Sequence, residues 1–224
     1  MKKHSGLLAL LLAGLAVTGA NAAENCAASG NLQMICGPEA VEDLVRVGRS
    51  HWLIGSGMAE GDKGGHLRLI DTRARRWENL YPAGGPAGAH DAKRFPGCAT
   101  EPDPKKFSAH GIELRDAGGG RHELLVVNHG GREAIEYFAV TQPGGKPVVQ
   151  WLGCVPLPAD VSANSVAAMP DGGFVTSLFN RPSQGGIDAV FEAKITGGIL
   201  RWSPGGTVTA IYRVMRSPVY RAAK

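Results

Sequence analysis

Short runs of β-branched and aromatic residues, each stopped by a Gly, Pro, Asn or Asp turn, follow one another from residue 43 to residue 214. A chain broken this often, in runs this short, has little choice but antiparallel β-structure. The runs also come in order. Three hairpins, "LVRVGRSHWLIGSG", "GIELRDAGGGRHELLVVNHG" and "SVAAMPDGGFVTSL", are each followed by a second pair: "HLRLIDTRARRWENL", "AIEYFAVTQPGGKPVVQWL" and "GILRWSPGGTVTAIYRV". Strands are expected at Asp43–Val47, His51–Ser56, His66–Asp71, Trp77–Leu80, Gly111–Arg115, Glu123–Asn128, Ala134–Val140, Pro147–Cys154, Ser165–Met169, Gly173–Ser177, Gly198–Trp202 and Val208–Val214. That makes three units of four antiparallel strands. Self-similarity at this interval is what β-propeller blades look like. A β-sandwich also uses many short strands and stays open at this point. No amphipathic helix is expected outside the N-terminal segment. The long segments Tyr81–Lys106 and Leu178–Gly197 interrupt the period, and insertions of such length are usually functional or mobile.

Propellers typically close with about four to eight blades, and three do not make a ring. Residues 23–224 are therefore read as one propeller domain that is incomplete. It is either a truncated product or one whose remainder comes from another chain. Unclosed sheets leave edges and apolar faces bare, so self-association is expected to cover them.

Residues 1–22 do not belong to this fold. Lys2 and Lys3 precede the apolar "LLALLLAGLAV", and Ala20-Asn21-Ala22 forms a small-x-small cleavage pattern. This reads as a secretory signal, too short to span a membrane, and predicts a secreted or periplasmic protein without a membrane span. Export makes two disulfides expected among Cys26, Cys36, Cys98 and Cys154. Their pairing cannot be deduced, although the short Cys26–Cys36 loop is the cheapest to close. No C-x-x-C spacing supports a zinc or redox site. Losing Lys2 and Lys3 takes two from the formal charge of +4, and only "RARR" at Arg73–Arg76 clusters the remaining basic residues. Nucleic-acid binding gains little support from that pattern.

Candidate chemistry gathers at Ser108–Gly131, "SAHGIELRDAGGGRHELLVVNHGG". A hairpin here brings its outer ends together, which sets His110 beside His129. Hydrogen-bonded structural histidines would look the same. The "DAGGG" turn opens no helix and is no phosphate loop. Ser108 and Ser165 sit in no nucleophile elbow. Glu42 and Asp43 can be read as a solvated turn, and Asn128 and Asn164 as turn residues bonding their own backbone. Trp52, Trp77, Trp151 and Trp202 are expected to pack between blades.

"AHGIELRD" with "LLVVNHGG" resembles the His-Gly-Ile and Val-Val-Asn-His segments of the paraoxonase/arylesterase family, calcium-dependent six-bladed propellers. "GPEAVEDLVRVGRSHWLIGSG" resembles that family's first blade, "VSANSVAAMPDGGFVTS" its next, and "GGILRWSPGG" the strand that follows. Gluconolactonase-like and strictosidine-synthase-like propellers are similar more loosely. The likeness covers the family's N-terminal half. It implies a carboxylic-ester or lactone hydrolase with calcium as cofactor and a small ester or lactone as substrate. By that likeness Glu42 and Asn164 match ligands of the catalytic calcium. His110 and His129 match a histidine dyad, general base and partner. Asp43 and the Ile112 carbonyl match ligands of a structural calcium. Ser165 stands where the family has an aspartate, and further catalytic-calcium ligands lie in blades this chain lacks. A non-catalytic propeller fragment, binding module or inactive relic is the alternative expectation.

Overall fold

The computed structural model describes residues 28–61, 63–83 and 85–215. Residues 1–22, read above as a secretory signal, and Cys26 lie outside them. All twelve expected runs form strands: β1 (Val41–Arg46), β2 (Trp52–Gly57), β3 (His66–Asp71), β4 (Arg76–Tyr81), β5 (Ala109–Gly118), β6 (Arg121–Asn128), β7 (Ala134–Thr141), β8 (Val148–Pro156), β9 (Ser162–Ala168), β10 (Phe174–Asn180), β11 (Gly197–Trp202) and β12 (Thr209–Met215). They pair as three antiparallel four-stranded sheets, each in simple chain order. The first strands lie next to one another, with β5 between β1 and β9.

The middle sheet is buried on both faces, and strand β6 shows why. Leu124 and Val126 point one way, into a core with Ile54, Leu67 and Leu69 of the first sheet. Leu125 and Val127 point the other way, into a core with Phe174, Leu178 and Trp202 of the third. Period-two alternation on a strand covered from both sides thus reads as the unbroken run "LLVV". Trp151 and Trp202 are buried in these cores, as expected. Trp52 reaches the middle sheet by donating its indole N–H to Gly145 O at 2.9 Å. Trp77 departs from expectation. It packs under the N-terminal segment, against Gly37, and donates its indole N–H to Cys36 O at 3.0 Å.

The first long insertion has a structural job. Ala89 and Asp91 donate their N–H groups to Trp151 O and Leu152 O of β8, each at 2.8 Å, which covers the outer edge of the middle sheet. Cys98–Cys154 pins the segment there. Phe95 fills the core between the second and third sheets, and Arg94 forms an ion pair with Glu123. Cys36 is also disulfide-bonded. Gly153, with φ 153°, leaves Phe95 its space, because a Cβ there would lie 2.4 Å from the Phe95 ring. Gly153→Ala is expected to cost about 1–3 kcal/mol by overpacking, read as a lower urea midpoint with unchanged slope. An unchanged midpoint would show that Phe95 has room to move.

The second insertion corrects the expectation of no helix. It contains α1 (Gly186–Phe191), whose Ala189 and Val190 are buried and which packs on β10. Fewer than two turns carry no readable period, which is why the sequence did not show it. Among the described residues, no helix is long and apolar enough to cross a membrane.

Candidate functional site

Each first strand carries the same irregularity at the same place. Between Val41↔Gly57 and Leu44↔Gly55, strand β1 spends one residue more than β2. Strand β5 does so between Ala109↔Asn128 and Ile112↔Val126. Strand β9 does so between Ala163↔Leu178 and Val166↔Thr176. Such bulges bend a strand and re-aim its side chains, often beside functional sites. The residues in the three bulges are Glu42-Asp43, His110-Gly111 and Asn164-Ser165. Ser56 and Ser177, opposite the first and third, accept the bulge N–H of Asp43 at 2.9 Å and of Ser165 at 3.2 Å. Glu42, His110 and Asn164 therefore hold equivalent places in three adjacent sheets.

A row of four side chains starts from these bulges. Glu42 Oε1 lies 3.4 Å from His110 Nε2. His110 Nδ1 lies 2.9 Å from His129 Nε2, with the rings inclined at 59°. His129 Nδ1 lies 2.8 Å from Glu133 Oε2. The interior of the row is sheltered, while the Glu42 side chain is 54% exposed. Burial first, then the neighbouring His129, holds the His110 imidazole below its ordinary range against an opposing pull from Glu42. His110 is thus neutral at pH 7, with a nitrogen near the open end of the row.

No family model matches this chain, and no curated protein matches it. What the row can do rests on its own chemistry, and on how firmly it is held. Asn128 Oδ1 accepts the N–H of Ser108 at 3.0 Å and of Gly130 at 2.9 Å. It is a turn residue, as read, but also a clamp between two loops. Its Nδ2 donates to Glu136 Oε1 at 3.1 Å. Glu136 is wholly buried and accepts both Arg132 Nε and Arg132 Nη2 at 2.8 Å, and Trp151 Nε1 at 2.9 Å. A buried charge held by this many donors is compensated and geometrically unique.

The other expected residues are placed as follows. Asp43 Oδ2 accepts the Ile112 N–H at 3.0 Å, joining the first two sheets, and Oδ1 accepts the Leu44 N–H at 2.8 Å. Glu113, which the sequence did not single out, stands close by: burial, then Asp43, raises its carboxyl above the ordinary range. Gly111 packs on the backbone of Asn164, where a Cβ would meet Asn164 O at 2.3 Å, so Asn164 adjoins the histidine strand. Ser165 is exposed. Cys98, Cys154 and Glu136 are close enough to suggest a metal cage, but the two sulfurs form a disulfide and offer no thiolate. Glu133, Arg132 and Glu136 were missed as well. Glu136 did carry a signal: a carboxylate inside "AIEYFAV" had to find buried partners.

Proposed function

We propose that this chain is an exported hydrolase of carboxylic esters or lactones, of the calcium-dependent arylesterase/lactonase type. The observation that carries the reading is the 2.9 Å contact between His110 and His129 inside the Glu42–His110–His129–Glu133 row. Its three sheets are read as blades of a propeller of the six-bladed type, supported by neighbouring first strands and by the repeated bulge. Disulfides at Cys98–Cys154 and at Cys36 support an oxidising compartment.

The donor set fits calcium in part. Glu42 offers a half-exposed carboxylate and Asn164 an amide oxygen, both hard donors, against the six to eight that calcium takes. Asp43 has both carboxylate oxygens on backbone N–H groups. When bound, the ion would polarise the scissile carbonyl and stabilise its oxyanion. His110 Nε2 takes a proton from the attacking water as the C–O bond to that water forms. It returns that proton to the departing alkoxide as the ester bond breaks. His129 holds the His110 ring and Glu133 holds His129.

Purified protein is expected to hydrolyse phenyl acetate or a simple lactone, to lose that activity in EGTA, and to regain it with calcium. His110→Ala is expected to lower kcat by about 10²–10⁴-fold. No turnover together with no calcium-dependent thermal shift would sink the reading.

Among the described residues the donor set is short, which favours a second reading, a non-catalytic binding module. Exposed Ile187, Phe191, Ile195 and Ile211 on the third sheet and its insertion support it, with a second copy as the partner. A dimer by light scattering, without turnover, would be its signature.

A further inference from the structure

We propose that Glu133 is a positioning residue that sets the tautomers of both histidines and so leaves the His110 Nε2 lone pair free. Its expected effect on rate rests on the hydrolase reading, whereas its effect on tautomers does not.

The assignment follows from counting hydrogens along the row. An ionised carboxylate accepts only. Glu133 Oε1 accepts the backbone N–H of Ala163, on β9, at 2.7 Å. Glu133 Oε2 is 2.8 Å from His129 Nδ1, so that nitrogen carries the hydrogen and donates it. In a neutral imidazole the other nitrogen then has a bare lone pair. His129 Nε2 faces His110 Nδ1 at 2.9 Å, so His110 must donate there. The remaining nitrogen, His110 Nε2, is left unprotonated at the end facing Glu42. The reversed order, with His110 Nε2–H toward Glu42, would set a bare His129 nitrogen 2.8 Å from the sheltered Glu133 carboxylate. The order assigned here instead sets the bare nitrogen 3.4 Å from Glu42, whose side chain is 54% exposed and can turn to water.

Glu133 can dictate this order because it is itself immobile. Its carbonyl accepts the Leu157 N–H at 2.9 Å, its carboxylate is gripped by Ala163, and its side chain is 19% exposed. Ala163 belongs to the third sheet and the histidines to the second. The tautomers are therefore set by the docking of one sheet on the other. In the same way an aspartate that orients a catalytic imidazole matters through the tautomer it enforces.

Glu133→Gln tests the assignment with little change in volume. The amide has one acceptor and one donor group. With its oxygen on the Ala163 N–H, its NH₂ faces His129 Nδ1, which must then accept. The reversed amide would set NH₂ against the Ala163 N–H. Both imidazoles are thereby forced to the Nε2–H tautomer, and the base lone pair of His110 is lost.

Long-range ¹H–¹⁵N spectra of histidine-labelled protein read this directly. The wild type is expected to show Nδ1–H on His110 and His129, and Glu133→Gln to show Nε2–H on both. On the hydrolase reading kcat falls by about 10²–10⁴-fold with KM little changed, and Glu133→Asp recovers part of it. Nε2–H on His129 in the wild type, or unchanged tautomers in Glu133→Gln, overturns the proposal. The wild-type spectrum decides even where the variant fails to fold. Reversed tautomers in a protein with no turnover uphold Glu133 and reject the hydrolase.

Discussion

Glu136→Ala is expected to lower the stability of the protein by about 3–5 kcal/mol, the usual cost of removing one partner from a buried ion pair. The side chain is wholly buried and accepts four hydrogen bonds, two from Arg132 and one each from Asn128 and Trp151. Removal leaves a cation and two neutral donors without their acceptor. Arg132 also donates to Thr100 O at 2.9 Å, so the loss reaches the insertion that covers β8. Changing Glu136 and Arg132 together to apolar residues is expected to recover much of the loss, since no orphaned charge remains. Urea melts of the single and double variants, with both disulfides intact, measure the effect. A midpoint for Glu136→Ala equal to the wild type would show that water replaces the carboxylate freely.

The second large effect is expected at Gly130. A Cβ there would lie 1.5 Å from Lys106 O and 2.4 Å from Lys106 C. These are backbone atoms, held by the Phe107 and Lys106 N–H bonds to Asp103 O, both 2.9 Å. No rotamer change relieves such an overlap, so the loop 103–108 or the turn after His129 must move. Gly130→Ala is expected to cost roughly 4 kcal/mol or more, the range reserved for outright steric conflict. It also dislodges His129 from His110, because the His129 N–H is bonded to Ser108 O at 3.1 Å in the same place. Gly97→Ala is the control, with nothing within 4 Å of its Cβ and an expected change within about 0.5 kcal/mol. Equal melting of the two variants would contradict the packing described here.

These two residues show where reading the sequence stops. Asn128 was legible as a turn residue, because Asn side chains bond their own backbone two residues on. Its second role, bonding Glu136, depends on a neighbouring strand. Glu133 follows His129 by four residues in an irregular turn, and no periodicity marks such a spacing. Helix α1 was too short for a period. The twelve strands were legible because alternation and turn residues act between near neighbours. The first long insertion read only as functional or mobile, since nothing local says that Ala89 and Asp91 will bond to β8 or that Cys98 will meet Cys154.

Hairpin register is a local property, set by turn length and by the period of two along each arm. That is why His110 and His129 were brought together by sequence alone, and why the strand order within each sheet was too. The tertiary structure decided what those histidines face. Glu42 reaches His110 from the first sheet, and Ala163 grips Glu133 from the third. Contacts of this kind depend on how whole sheet faces interdigitate, a matter of summed side-chain volume across residues far apart in the chain. The pair was determined by its hairpin; the row of four exists only because three sheets pack.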